Sequence, residues 1–341
     1  MNTVSDVKRD LWDDANRWPH RCAVALVCAT FPLIWIGGLV TTYGAGMAVP
    51  DWPNTYGYNL WLYPAETWIN GPWKLFVEHG HRLYATLVGL LTIAFLVSAW
   101  WCQARPLVLW LGAIALAGVL FQGALGGMRV IQDQVQLAKI HGCFGPAFFA
   151  FTVVLAVVTS RRWQQGRLSN QLGLGKIERL AIMTTLLAYC QLVLGSQLRH
   201  LPAGARPGDF RFALVFHLLT ALALCVAIVF LGLRIVRTQR REPSLLRPAL
   251  GLASLIMIQV TLGAATWVAK YGWPSWLTDF GFAAAYTVAA DSRPQAWITT
   301  AHVAAGSLIL ATSLLIALRS ARFARASLPV AAGAWIAEVA R

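Results

Sequence analysis

Residues 107–128 read Leu107-Val-Leu-Trp-Leu-Gly-Ala-Ile-Ala-Leu-Ala-Gly-Val-Leu-Phe-Gln-Gly-Ala-Leu-Gly-Gly-Met128, without one ionisable side chain. At a rise of about 1.5 Å per residue, about 20 such residues cross a hydrocarbon core of roughly 30 Å. The run is apolar around its whole circumference, unlike an amphipathic surface helix or an alternating strand. Working outward, residues 22–43, 78–101, 138–159, 178–198, 212–234, 247–269 and 297–318 repeat the pattern. In lipid every backbone N–H and C=O must bond internally, and helices achieve that within one segment. The sequence therefore predicts an all-α integral membrane protein of eight transmembrane helices.

Composition agrees. Of 341 residues, 57% are hydrophobic and 12% charged, where a soluble domain carries about 25% charged residues. That excludes an ordinary soluble enzyme and a disordered chain. The net charge of +14 resembles that of a nucleic-acid binder until its distribution is read. With the N-terminus cytoplasmic, 19 of the 28 Lys and Arg residues fall on the cytoplasmic side and 9 outside, while the 14 acids divide evenly. Basic residues concentrated on one side set orientation. The expectation is a multi-pass protein of a bacterial cytoplasmic (inner) membrane with both termini cytoplasmic, the bilayer as its partner and no nucleic acid. The first 21 residues carry Asp6, Asp10, Asp13 and Asp14, unlike an acid-poor targeting peptide. The six cysteines are scattered among helices and their inner ends, none in an outer loop, and read as small apolar fillers.

Within the helices a pattern recurs. Gln122-Gly-Ala-Leu-Gly126, Gln191-Leu-Val-Leu-Gly195 and Gln259-Val-Thr-Leu-Gly263 are all Q-x-x-L-G, at the same place in the third, fifth and seventh segments. The first segment has a weaker echo in Gly37-Gly38. Each even segment then opens with a histidine within its first two turns: His81, His141, His217 and His302. The unit is a hairpin that ends in Gly and restarts with His, used four times. Two hairpins make a four-helix bundle, so the chain divides into a 1–21 N-tail, a 22–160 bundle, a 161–177 cytoplasmic linker, a pseudo-symmetric 178–319 bundle and a 320–341 C-tail. The glycines serve close helix packing, the approach of a flat cofactor, or both.

Intramembrane ionisable residues are costly, and four imidazoles at one depth, toward the outer side, point to ligation. Within each half, His81 faces His141 and His217 faces His302. Paired imidazoles on facing helices clamp haem iron axially, whereas copper or zinc recruits further ligands nearby. His79 lies about 200° round the helix from His81, at 100° per residue, and is expected to be solvent-side or accessory. His20 is expected at the surface and His200 at the interface. Glu78 shares a helical face with His81. The second half has Leu214 and Thr299 at the matching offsets, so only the first half pairs two histidines with an acid.

Taken together, Gly37-Gly38, the stretch Gly46-Met-Ala-Val-Pro50-Asp51-Trp52-Pro53, Glu78-His-Gly-His81-Arg82, and His141, His217 and His302 resemble the heme A synthase family. These are eight-helix membrane enzymes that convert heme O to heme A for cytochrome oxidase assembly. The resemblance spans roughly residues 30–318. It implies that His81 and His141 hold the substrate haem and that His217 and His302 ligate a resident heme b. Glu78 then matches the acid required for oxidising a porphyrin methyl to a formyl group. Arg82, Arg129 and Lys139, near the outer end of the first half, become candidates for propionate contacts. A heme O synthase and oxidase assembly factors become expected partners. The chain departs from the family at Val49 and Thr55, where many bacterial members carry cysteines. Its 44–75 loop instead carries Trp52, Tyr56, Tyr58, Trp61, Tyr63, Trp68 and Trp73, expected to form an aromatic lid. The competing expectation is a di-haem b-type electron carrier, which needs both histidine pairs but no Glu78.

Overall fold

The computed structural model describes residues 4–102, 104–165, 174–202, 204–274 and 292–326. Among these residues every regular element is a helix: α1 (Val4–Thr42), α2 (Ala65–Ile69), α3 (Trp73–Trp101), α4 (Pro106–Gln132), α5 (Val135–Thr159), α6 (Arg161–Gln165), α7 (Leu174–Arg199), α8 (Pro207–Thr238), α9 (Pro243–Tyr271) and α10 (Arg293–Ala326). Eight of these, all but the five-residue α2 and α6, are long and apolar enough to cross a membrane. They match the eight expected segments one for one.

The helices start earlier than the apolar runs because a polar first turn costs a helix little when it lies outside hydrocarbon. α1 is helical from Val4, so the polar stretch expected as a separate tail is largely the first turns of that helix. α3 begins at Trp73, not near residue 78, and His81, His217 and His302 lie two to three turns inside their helices, while His141 falls within the first two turns of α5 as expected. The 161–177 linker lies partly, and the 320–341 tail mostly, outside the described residues.

Two rings of four helices stand side by side. In the first, α1 packs on α3 and α5, and α4 packs on the same two; in the second, α7 packs on α8 and α10, and α9 packs on those two. Each ring has its own apolar core. Leu26, Phe95, Val108 and Leu155 belong to the first, Ile177, Leu231, Leu252 and Ile316 to the second. Leu186, Leu222, Phe230 and Met257 face outward, well exposed, as a surface solvated by lipid chains requires.

The seam between the rings is formed by α1 and α5 against α10, and by α5 against α7. Gly38 lets α1 approach α10, since a Cβ there would come within 2.6 Å of Thr300 Cγ2. Trp35 and Trp297 meet across the same seam with ring centres 5.8 Å apart. Arg199 of α7 donates to the Gly38 carbonyl at 2.6 Å and to Thr42 Oγ1. Inside the second ring, Pro248 lacks the N–H that the Ser244 carbonyl would otherwise accept. Arg319 of α10 donates to that carbonyl at 2.6 Å, so the break in the α9 ladder becomes a tie between helices.

Candidate functional site

The four histidines form two pairs. His81 on α3 and His141 on α5 have ring centres 6.4 Å apart, and His217 on α8 and His302 on α10 are 6.5 Å apart. Each imidazole rests on a glycine of the preceding spanning helix. A Cβ at Gly37 would come within 3.0 Å of His81 Cε1, one at Gly126 within 3.0 Å of His141, one at Gly195 within 3.2 Å of His217, and one at Gly263 within 3.1 Å of His302. The glycine of the repeat is therefore a seat for the next histidine ring. The sequence held this relationship as an order, Gly and then His. Spacing hid it, because the intervening loops differ in length.

The repeat glutamines supply the second contact. Gln122 Nε2 donates to the His141 carbonyl at 3.0 Å, and the His141 Nδ1–H donates to the Gln122 carbonyl at 3.2 Å. That bond leaves Nε2 as the nitrogen with a free lone pair. Gln191 Nε2 lies 3.1 Å from His217 Nε2 and 3.2 Å from Nδ1.

All four histidines line one continuous cavity of about 1390 Å³. That exceeds the roughly 300–1,000 Å³ of a typical site for one small ligand. A ligated nitrogen lies about 2.0–2.1 Å from its metal, and its ring centre about 1.2 Å further, so two imidazoles clamping one ion have centres ~6.3–6.6 Å apart. Both pairs meet that spacing. His81 Nδ1 and His302 Nδ1 are buried with no hydrogen-bond partner among the described residues. Nor do any three His, Cys, Asp or Glu side chains gather as a metal-ion site among those residues. Two facing imidazoles in a large apolar cavity fit haem.

The first ring adds an acid. Glu78 is 3% exposed and stands on the cavity wall with His81. Its Oε2 accepts from the Val49 N–H at 3.0 Å and its Oε1 from Arg82 at 2.9 Å. Arg82 also donates to the carbonyls of Val49 (2.8 Å), Asp51 (2.6 Å) and Asn54 (3.0 Å). Both terminal nitrogens of Arg82 are thus engaged in stapling the loop to α3 and gripping Glu78. Arg129 lines the same cavity, and Lys139 stands half-buried two residues before His141.

The loop itself is built from local turn chemistry. Tyr56 and Gly57 have φ of 50° and 79°, and Thr55 and Tyr58 exchange backbone bonds of 2.9 and 3.0 Å. Two consecutive positive φ values make a type I′ turn. The Asp51 carboxylate accepts from the N–H groups of Tyr56 and Gly57, each at 2.8 Å. Burial alone would push the Asp51 carboxyl up; the N–H groups of Gly57, Tyr56 and Asp51 itself, with the Arg82 charge, outweigh it and hold the group below its ordinary value.

Two glycines key the loop into α4. The Arg129 guanidinium fills the place a side chain at Gly46 would take, and the Trp52 indole the place of one at Gly127. Trp52 and Trp61 face the cavity, while Trp68 and Tyr63 pack on His79. His79, expected at the solvent side, is 1% exposed. The loop covers its ring, and Thr55 Oγ1 lies 3.1 Å from its Nδ1. His20, expected at the surface, is half-buried, with Nδ1 3.1 Å from Thr159 Oγ1. His200 lines the cavity, and its Nδ1–H donates to the Ser196 carbonyl at 3.0 Å. Burial lowers its pKa; the Ser196 carbonyl opposes that, and the charges of Arg199, Arg129 and Lys139 add to it. All six cysteines are free thiols.

The comparisons with known proteins bear on the first ring above all. Residues 20–212 match the family model COX15-CtaA, described as cytochrome oxidase assembly protein. A protein of Shouchella clausii named heme A synthase is 32% identical over 122 residues, covering 35% of this chain and 38% of its own. Proteins of the same name from Brucella ovis and Brucella suis are each 30% identical over 164 residues, covering 45% of this chain and 42% of theirs. The matches thus span about two fifths of the relatives' length. The family match includes Glu78, His81 and His141 and ends before His217 and His302. Since it takes in more than half of the 341 residues, the chain belongs to the cytochrome oxidase assembly protein family that this model describes.

Proposed function

We propose that the chain is a heme A synthase-like oxidoreductase, oxidising a porphyrin methyl group of heme O to the formyl group of heme A for terminal oxidase assembly. In this reading the first bundle (22–160) holds the substrate between His81 and His141. The second (178–319) holds heme b between His217 and His302. The matched relatives carry that enzyme's name, which supports the reading. The observation that carries it is Glu78, a buried carboxylate beside one histidine pair only. Leu214 and Thr299 hold the matching places in the second ring, and a plain electron carrier has no use for the acid.

Converting a methyl to a formyl group removes electrons and protons from the substrate carbon and takes one oxygen from water. Heme b, when bound, supplies a site that takes up and passes on single electrons. Glu78 stabilises positive charge developing at the methyl carbon or accepts a proton from it. Arg82 and the Val49 N–H fix its carboxylate, so Arg82 is a positioning residue before it is a propionate contact. Arg129 and Lys139 are the freer cations for the propionates. The loop of residues 44–72, with Trp52 and Trp61 on the cavity, limits the water that reaches the substrate. Both termini lie in the cytoplasm and the histidines toward the outer face. A heme O synthase supplies the substrate, and assembly factors receive the product.

The haem content of purified protein, read by pyridine hemochrome and mass spectrometry, tests this. Heme O or heme A alongside heme b is the expected result. Two equivalents of heme b alone overturn the assignment of the first ring and favour the carrier.

A further inference from the structure

The outer end of α7 belongs by sequence to the second ring, yet besides its own histidine seat it touches the residue after His141 and the residue after the seat of His81. Gly195 holds the His217 ring. Ser196 Oγ and His200 Cε1 pack over Gly142, which follows His141, each 3.9 Å from where a Cβ would stand. Arg199 grips the carbonyl of Gly38, which follows the seat of His81. Six residues thus connect both haem positions.

The charge around them is one-sided. The cavity wall includes Arg82, Arg129, Arg199 and Lys270 but a single carboxylate, Glu78, and Arg82 already pairs with Glu78. Arg129 lies within the charge of Glu78 and Asp133 but donates to neither, and its guanidinium is held in the notch at Gly46. Arg199 has backbone and hydroxyl acceptors but no acid. Buried cations with no acid bonded to them are costly unless an anion joins them. Arginine is the side chain best shaped to receive carboxylates.

We propose that Arg129 and Arg199 form one anion-binding rim that takes the carboxylate edge of the porphyrin held between His81 and His141, so that the second ring completes the site of the first. This rests on the haem reading above. It adds one residue from α7 and assigns it to the opposite ring from its own.

The test compares iron protoporphyrin IX with its dimethyl ester, which keeps the ring and loses the charge. Each is titrated into the purified full-length apoprotein and followed by the bis-imidazole absorbance. The free acid is expected to bind about tenfold more tightly, as one or two charge-assisted bonds imply. The preference should persist in His217→Ala and vanish in His141→Ala. It should fall to near unity in Arg129→Gln, weaken in Arg199→Gln and survive in Arg129→Lys. Arg206→Gln, outside the cavity, should leave it unchanged. Unaltered binding of the ester shows that each arginine variant is folded. Equal affinity for acid and ester in the wild type overturns the rim, as does a preference that survives Arg129→Gln or is confined to the second pair. A wild type that binds neither form overturns the haem reading beneath it.

Discussion

Gly126 and His141 stand in contact across α4 and α5, so close that a methyl at residue 126 would come within 3.0 Å of the imidazole and the ring would have to give way by a few tenths of an ångström. Gly251, on α9 and away from the cavity, has nothing within 4 Å of the same position. The two glycines separate two effects of adding a side chain. Gly251→Ala should raise thermal stability slightly, because glycine costs a helix roughly 1 kcal/mol relative to alanine. Gly126→Ala should instead push the imidazole from its seat and weaken haem binding about tenfold or more. Optical titration of both variants checks this; equal affinities would remove the seat from the account.

Glu78→Gln keeps the shape of the side chain and removes its charge. Haem binding and the bis-imidazole spectrum should persist while formyl production falls at least about tenfold. Mass spectrometry of extracted haem distinguishes the two. Unchanged formyl production would take Glu78 out of the chemistry.

His217→Ala should lose the heme b signal and retain binding of added haem at His81 and His141. His81→Ala should do the reverse. Because the family match stops short of His217, this exchange is the sharper test of the second ring. Spectra unaltered in His217→Ala contradict the pairing.

Arg82→Ala should loosen the loop more than it perturbs α3. It strands three loop carbonyls and leaves Glu78 buried without its cation, a loss of about 3–5 kcal/mol for a broken buried pair. Limited proteolysis should then cut within residues 44–64 of the variant before any other described segment.

Asp51 sets a pH dependence. Its carboxyl titrates lower in the folded loop than when free, so its contribution is fully present above the ordinary value of 3.8 and fades as pH falls through the lowered one. Asp51→Asn should therefore melt earlier than the wild type near neutrality, and the difference should close as acid protonates Asp51. A gap constant down to the lowest accessible pH would refute the role of the carboxylate.

The eight spans were legible because burial in lipid imposes one rule on every residue of a run, and hydropathy reports it directly. Helix starts were not legible, since the first turns outside hydrocarbon tolerate Lys74, Asp209 or Arg293 as readily as a loop does. The histidine pairs were legible through their recurrence. The solvent-side alternative for His79 failed because helical angle describes a helix alone, and here the 44–72 loop folds back to cover the face that would otherwise meet solvent. The grip of Arg82 on the loop was not legible because its acceptors there are backbone carbonyls, which every sequence contains and none advertises. Arg199 and His200 were hidden by the seam, which brings together residues whose separation in sequence carries no period.

Val49 and Thr55 fasten the loop to α3 through an amide bonded to Glu78 and a hydroxyl beside His79. No sulfur takes part, and all six thiols lie elsewhere. A lid held this way is indifferent to dithiothreitol and to the redox state of its compartment, so reductant should neither release it nor alter access to the cavity beneath.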